Sequence, residues 1–532
     1  MSPDNLQKEV KSSDINNRVK SNNKQAARLM IQGTSSNVGK SVLAAAFCRI
    51  FYQEGYQVVP FKAQNMALNS YITRTGGEMG RAQVVQAQAA GLEPDVRMNP
   101  ILLKPTGPSG SQVIVMGEAQ GTISALKYHG EYQKRTWPVV KKAIHELLNA
   151  YEIVIIEGAG SPAEVNLKQN DIVNMRVAME AQAPVLLVAD IDRGGALASV
   201  VGTLELLEPE ERQLIRGIVL NKFRGDIKLL QPALDFLQEK TGIPVVGVVP
   251  YYDQFKIPEE DSVVLEEQKS KQSKIKRQDK VLDVVVIRLP YLSNFTDFDA
   301  LEDEPDVNLR YVRELADLGQ PDCIIIPGSK NTLWDLKFLW ESGIAQRIIT
   351  LWQENTPIIG ICGGYQILGR MIRDPFHTES DLEYLEGLGI LPLETEFALE
   401  KHTVQCRGRV IGNGLFLGKC QGSEITGYEI HMGRSNTEGE HLFQIQAQGK
   451  IYEDGLIAGS ALGTYLHGLF DNDPLRTALL EYLWQRRGQK RTVKSTLSQA
   501  ALREQAFNEL ADWVRNSVDM EKIRSIMGLD KG

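Results

Sequence analysis

The stretch that most constrains this chain is Pro357-Ile-Ile-Gly-Ile-Cys-Gly-Gly-Tyr-Gln366, an apolar strand pattern that runs straight into Gly-Ile-Cys-Gly-Gly. A Gly two residues before a nucleophile-type residue and another two after it is the spacing of a strand turning sharply into a helix. Only Gly tolerates the close backbone approach such a turn requires. The pattern predicts Cys362 exposed at a strand end. Backbone N–H groups after it would hold an oxyanion, and a helix N-terminus would favour the thiolate, the reactive form. Taken alone, it fits a structural Cys in a βα turn equally well, because free Cys is commonly a small buried hydrophobe.

A second constraint lies near the start. Ala27-Arg-Leu-Met-Ile-Gln-Gly33 reads as a short buried strand, followed by Thr34-Ser-Ser-Asn-Val-Gly-Lys-Ser41 and then by Val42, Leu43, Ala46, Phe47, Ile50 and Phe51 at helical spacing, with Gly55 as a stop. Strand, Gly-rich loop, Gly-Lys-Ser and helix make the context of a phosphate-binding loop. Backbone N–H groups from Gly33 through Thr34, Asn37, Val38 and Gly39 would cradle phosphate oxygens, Lys40 would reach the terminal phosphates, and the Ser41 hydroxyl would ligate Mg²⁺. Five residues separate Gly33 from Gly39, one more than the usual motif has. A second carboxylate for the metal is expected from Glu157, at the carboxyl end of the apolar strand Tyr151-Glu-Ile-Val-Ile-Ile-Glu157 and directly before Gly-Ala-Gly.

Further strand patterns recur at 184–190, 216–222 and 244–250, separated by helical segments, which is the signature of a doubly wound parallel sheet. Asn221-Lys222, at one strand end, suits either reading of a purine base or a turn. Between the first two strands of this region, Phe61–Met66, Asn69 and Arg74–Gln83 are dense in amides and Gly and read as loops; so does Asn99–Gly107. Such loops suit a large polar ligand, and Lys62 is placed to neutralise a carboxylate or a transferring phosphoryl group.

Residues 266–280 are charged and almost devoid of apolar side chains, so they read as a linker. A new α/β run begins with Leu282-Asp-Val-Val-Val-Ile-Arg-Leu-Pro290 and leads to the Cys362 turn. At 532 residues the chain is too long for one core. The expected division is a frayed tail at 1–26, a nucleotide- and substrate-binding domain at 27–265, the linker, a Cys-containing domain at 281–490 and a helical extension at 491–532. A net charge of −8 argues against a nucleic-acid surface, five Cys without paired spacing fit a reducing compartment, and nowhere do 18 apolar residues run consecutively. Cytoplasmic localisation without nucleic-acid or membrane partners follows; the sequence sets no oligomeric state.

A Cys nucleophile needs a base. His467 ends the apolar run Ala461-Leu-Gly-Thr-Tyr-Leu-His467, and the helix after it has an expected Asp473 cap and Pro474 in its first turn. The rival is His431, in Gly427-Tyr-Glu-Ile-His431. Gly-Ile-Cys-Gly-Gly-Tyr-Gln together with Gly-Thr-Tyr-Leu-His-Gly resembles a class I glutamine amidotransferase domain, and the long phosphate loop resembles that of dethiobiotin synthetase-like ATPases. Joined, with Lys62-Ala-Gln-Asn-Met66, Glu157-Gly-Ala-Gly-Ser-Pro-Ala-Glu164, Pro327-Gly-Ser-Lys-Asn-Thr332 and Gly427-Tyr-Glu-Ile-His431, they resemble the cobyric acid synthase family over nearly the whole chain after residue 27.

The resemblance implies an N-terminal P-loop doubly wound sheet and a C-terminal amidotransferase α/β domain. Its implied reaction uses ATP, Mg²⁺ and glutamine to amidate the b, d, e and g carboxylates of a corrinoid, adenosylcobyrinic acid a,c-diamide. Cys362 and His467 would be the catalytic pair, with backbone N–H groups near Gly328 and Gly363 as the oxyanion hole and an enclosed path for ammonia between the domains. Ordinary class I members carry a Glu two residues after the His, where this chain has Leu469, so the partner that orients His467 is left open. The alternatives are amidation of the a and c carboxylates by the sister enzyme class, a partitioning ATPase with a degenerate Cys domain, and a Cys hydrolase whose first half only binds nucleotide.

Overall fold

The computed structural model describes residues 26–105, 110–124, 133–252, 281–493 and 498–529. The tail expected at 1–26, Ala26 aside, and the linker expected at 266–280 lie outside the described residues.

Six strands form the first sheet: β1 (Ala27–Gly33), β2 (Val58–Phe61), β3 (Ile153–Glu157), β4 (Val185–Asp190), β5 (Ile215–Phe223) and β6 (Val245–Pro250). Their order is β6-β5-β4-β1-β3-β2, and all pairings are parallel. The chain leaves β1 for β2 and β3 on one side, then crosses to β4, β5 and β6 on the other. A crevice therefore opens at the carboxyl end of β1, where ligands gather in such sheets. Helix α1 (Lys40–Gln53) covers the sheet through buried Leu43, Phe47, Ile50 and Phe51. Val42, expected on that face, is instead 37% exposed.

The stretches read as loops are more ordered than expected at 61–83 and, of 99–107, at the described residues 99–105. Gln64–Met66, Ile101–Pro105, Gly110–Val115 and Glu118–Ser124 form a small four-stranded sheet, and Ser70–Ile72 pairs with Glu78–Gly80. Three-residue strands are too short for an alternating pattern to register, and cross-strand pairing supplies their order.

The second sheet has eleven strands. Its parallel part holds β7 (Leu282–Ile287), β8 (Val307–Val312), β9 (Cys323–Ile326), β10 (Ile358–Ile361) and β15 (Ala461–Thr464). Long strands β11 (Leu393–Val410), β12 (Glu424–Thr437), β13 (His441–Ala447) and β14 (Lys450–Ala458) extend it. These pair antiparallel, β11 with β12 and β13, β13 with β14, and β14 with β15. The β11–β12 hairpin lies against the 69–81 segment of the first domain: Thr403 Oγ1 donates to the Gly76 carbonyl at 2.9 Å, and Gln405 Nε2 donates to the Ile72 carbonyl.

Helix α2 (Asp473–Arg486) has Asn472, not Asp473, at its N-cap; Asp473 is its first residue and accepts instead from Arg476. After it the chain returns to the first domain. Helix α3 (Gln499–Arg515) packs Phe507, Leu510, Ala511 and Val514 into the core around α1, and Arg49 donates to Glu504 and Asn508. The C-terminal segment thus straps one domain to the other. No helix among the described residues is long and apolar enough to cross a membrane.

Candidate active site

Strand β10 is wholly buried between β9 and β15, and its continuation has no room to continue straight. A Cβ on Gly360 would stand 2.7 Å from the Gly364 carbonyl oxygen, and one on Gly364 would run into the carbonyl of Ile326. Cys362 between them takes φ 51° and ψ −106°, a left-handed backbone costing about 1–3 kcal/mol. It is held there by its N–H donating to Thr464 O at 2.8 Å and by its carbonyl accepting from Gln366 N at 3.1 Å. Contrary to the expectation of an exposed thiol, Cys362 is only 6% exposed, because β12 covers it: its Sγ lies 3.5 Å from the Ile430 carbonyl.

His467 follows β15 and is fully buried. Its Nδ1 is 2.6 Å from Asp297 Oδ2, and the other oxygen of Asp297 accepts from Gly468 N at 3.1 Å. This carboxylate fills the role that Leu469 cannot. Two further groups flank the ring. Tyr428 stacks on it with centroids 5.0 Å apart and planes 13° apart, and Asn294 Nδ2 lies 3.4 Å from Nε2. Burial alone would lower the imidazole pKa, but the charges of Asp297 and Cys362 and hydrogen bonds to both push it up to about 10. His431, the rival base, instead stacks on Tyr465 with centroids 3.9 Å apart and sets its Nδ1 2.7 Å from the Gly433 carbonyl.

Asn294 and Tyr428 also hold the first domain. Ser70 N donates to Asn294 Oδ1 at 3.1 Å, Tyr428 Oη donates to Ser70 O at 3.3 Å, and Phe295 N donates to Asn69 Oδ1 at 2.9 Å. Both backbone groups of Ser70 are thus gripped by residues that touch the His467 ring. Beside this clasp, Glu78 receives Lys104 at 2.8 Å and, from the second domain, Lys401 at 2.5 Å. Burial would raise the Glu78 pKa, yet the two ammonium groups hold it far below the usual carboxylate range.

The second centre lies on the first sheet. Asn37 (φ 59°) and Gly39 (φ 97°) curl the loop after β1, and a Cβ on Gly33 would be 2.5 Å from Val38 Cγ2. Thr34 N donates to Val188 O at 2.9 Å. Lys40 Nζ donates to the carbonyls of Ser35 (2.9 Å) and Gly160 (3.1 Å). Ser41 Oγ donates to Glu157 Oε1 at 2.7 Å, and Lys62 Nζ meets the same oxygen at 2.9 Å; Gln86 Nε2 donates to Oε2 at 2.5 Å. Burial opposes the charge on Glu157, but Lys62, Ser41 and Gln86 outweigh it and hold the pKa below the ordinary value. Asn221 and Lys222 brace the loop rather than standing clear of it: Asn221 Nδ2 donates to Val38 O at 2.8 Å and Lys222 Nζ to Asn37 O at 2.6 Å. Beyond them a cavity of about 610 Å³ opens at the ends of β5 and β6, where Arg224 stacks on Tyr251.

The structure brings together Gly33, Thr34, Asn37, Val38, Gly39, Lys40, Ser41, Lys62 and Glu157 in one centre, and Cys362 and His467 in the other. Sequence reasoning missed Asp297, Asn294 and Gln86. Asn294-Phe-Thr-Asp297 carries no spacing that points to His467, 170 residues away in the chain. Gln86 lies one helical turn beyond Arg81–Gln83, so the amide density of that stretch was its only signal.

A strained Cys at a strand-to-helix turn, with a buried His held by Asp, joined to a phosphate-loop sheet, defines a glutamine amidotransferase coupled to a nucleotide-binding domain. The comparisons with known proteins agree: residues 283–475 match the CobB/CobQ-like glutamine amidotransferase domain and residues 29–264 the CobQ/CobB/MinD/ParA nucleotide binding domain. Cobyric acid synthase of Desulfitobacterium hafniense strain DSM 10664 / DCB-2 is 79% identical over 513 residues, covering 96% of this chain and 100% of the relative. That of Moorella thermoacetica is 54% identical over 512 residues, covering 95% and 98%. The chain belongs to the cobyric acid synthase family.

Proposed function

We propose that this protein amidates the b, d, e and g side-chain carboxylates of adenosylcobyrinic acid a,c-diamide, with glutamine as nitrogen donor and ATP as energy source, to give adenosylcobyric acid in cobalamin biosynthesis. The observation that carries the reading is the clasp at Ser70, which joins a Cys–His–Asp array to the domain that holds the phosphate loop.

In this reading Cys362 Sγ attacks the side-chain amide carbon of glutamine. The developing oxyanion is received by backbone N–H groups around Gly328–Ser329 and at Gly363, two segments close enough that a Cβ on Gly363 would be 2.8 Å from Ser329 N. His467 protonates the departing ammonia, and Asp297 keeps its proton on Nδ1 and steadies the imidazolium. Water then hydrolyses the thioester to glutamate. In the first domain the corrinoid carboxylate attacks the γ-phosphorus of ATP, ADP leaves, and ammonia displaces phosphate from the acyl phosphate to form the amide. Lys40 and the loop N–H groups bind the phosphates; Lys62 faces the carboxylate being phosphorylated.

Mg²⁺ fits the chemistry of Ser41 and Glu157, a hydroxyl and an ionised carboxylate 2.7 Å apart at the loop. When bound there it would neutralise phosphate charge. The cavity at the ends of β5 and β6 is the site for the nucleotide base. Ammonia would pass along the interface between Cys362 and the phosphate loop, beside Lys330, Glu78 and Lys104. Five free, buried cysteines and a net charge of −8 support a cytoplasmic enzyme without a nucleic-acid partner.

The test is mass spectrometry of the corrinoid together with glutamate release. Four successive mass losses of about one unit each, as replacing OH by NH₂ requires, each matched by one glutamate and one ADP, are expected. Only two losses, starting from the unamidated ring, would assign the protein to the sister reaction; ATP hydrolysis without glutaminase activity would overturn the reading.

A further inference from the structure

Strand β12 has two uses. Tyr428 and Ile430 face the first domain and pack with Ile72. Glu429 and His431 face the opposite way, into a cavity of about 390 Å³, where His402 stands across from His431 in the β11–β12 ladder. We propose that His402, Glu429 and His431 bind one divalent transition-metal ion of the zinc type, at a site separate from the catalytic cysteine and from the phosphate loop.

The spacing is that of a coordination shell. His402 Nε2 lies 3.1 Å and His431 Nε2 3.5 Å from Glu429 Oε2, and one ligand atom of each residue falls within 4.8 Å of the others. Ligands on a tetrahedral ion with bonds of about 2.0–2.1 Å are about 3.3 Å apart. Hydrogen bonding points the same way. His431 Nδ1 is 2.7 Å from the Gly433 carbonyl and donates to it, so in the neutral ring the lone pair sits on Nε2. That nitrogen is buried, has no hydrogen-bond partner and faces a carboxylate oxygen, as if two acceptors had been aimed at one point. Glu429 Oε1 is likewise buried and unpartnered. A cation between them satisfies these atoms, and the Nδ1–carbonyl bond is the outer contact that metal-bound imidazoles usually make.

Two imidazoles and one carboxylate suit a borderline ion such as Zn²⁺ rather than Mg²⁺, which prefers oxygen ligands. The half-exposed His402 leaves an entry path, and a fourth position opens to the cavity beside Tyr452. The site adjoins the catalytic cysteine: His431 stacks on Tyr465 with centroids 3.9 Å apart, and the carbonyl of the preceding residue, Ile430, lies 3.5 Å from Cys362 Sγ. An ion here would stiffen that strand.

The test uses the full-length protein, stripped with a chelator and then titrated with Zn²⁺ alone and with Co²⁺ alone. One equivalent of Zn²⁺ is expected, with visible Co²⁺ absorption of the intensity that tetrahedral sites give. Affinity should fall by at least roughly 100-fold in His402→Ala and in Glu429→Gln, and stay unchanged in Ser41→Ala, which alters only the phosphate-loop hydroxyl. His402 is half exposed, so its variant should fold, and its melting temperature without metal should match that of the wild type. No bound metal and no Co²⁺ spectrum in the wild type, or equal affinity in the variants, would overturn the proposal and leave a proton-sharing His–Glu cluster.

Discussion

The two centres of this molecule solve the problem of charge in different ways. Around Cys362, the candidate groups already stand together: a cysteine on a strained backbone, a buried histidine and a buried carboxylate whose two oxygens are both used. Around Lys40, the charges are satisfied by the protein itself. The ammonium donates to two loop carbonyls, and Glu157 is surrounded by Lys62, Ser41 and Gln86. A nucleotide must exchange those contacts for its own, whereas under the proposed function glutamine would meet a prepared nucleophile. Control is therefore needed at the centre that is already assembled. A prepared glutaminase would waste ammonia unless the other domain governs it, and the Asn294–Ser70–Tyr428 clasp is the contact through which it could do so.

Removing one centre at a time should separate their roles most sharply. Cys362→Ala should lower glutamine-dependent amidation by about 10⁴-fold or more, while amidation fed by ammonium salts stays within a few-fold of wild type. Lys40→Ala should abolish amidation from either nitrogen source by about 10²–10³-fold. If Cys362→Ala also loses ammonium-dependent amidation, the two centres are not separable as described.

Asp297→Asn tests the prepared state itself. Glutaminase kcat should fall by about 10²–10⁴-fold, because the imidazole loses both its orientation and the charge that stabilises it. His467 has a raised pKa, so its ion pair contributes stability fully present below the unfolded value near 6.5 and lost as pH rises through about 10. Wild type should therefore lose that contribution between about pH 7 and 10. Asp297→Asn should not show the loss, and chemical denaturation across that range reads the difference.

A smaller effect is expected at the clasp. Asn294→Ala should leave ammonium-dependent amidation unchanged and alter the ratio of glutamate released to amide formed by about 5- to 50-fold, measured with and without corrinoid. Asn69→Ala, in the other domain, should change the same ratio in the same direction. A glutamate-to-amide ratio that stays at wild-type values in both variants would show that the clasp only packs the domains together.

Much of the architecture was legible because it rests on local patterns. Parallel strands buried on both faces read as apolar runs, as Ile153–Ile156 and Val185–Ala189 do, and Gly33, Gly39, Gly360 and Gly364 stand where a Cβ would collide. The short strands at 64–80 were missed because their order comes from partners across the sheet. The burial of Cys362 was missed for a related reason. A turn motif reports how the backbone bends, not what a strand 68 residues later will lay over it.

From the sequence alone come the two sheet types, the phosphate loop and the candidate pair Cys362 and His467, because each depends on residues adjacent in the chain or on one period of an element. The tertiary structure alone decided that Asp297 orients His467, that Asn294 and Tyr428 reach both His467 and Ser70, and that the C-terminal helix returns to α1. Those contacts join residues that share no element and no spacing. They exist only once packing has brought distant segments together, and nothing in the order of the amino acids marks them beforehand.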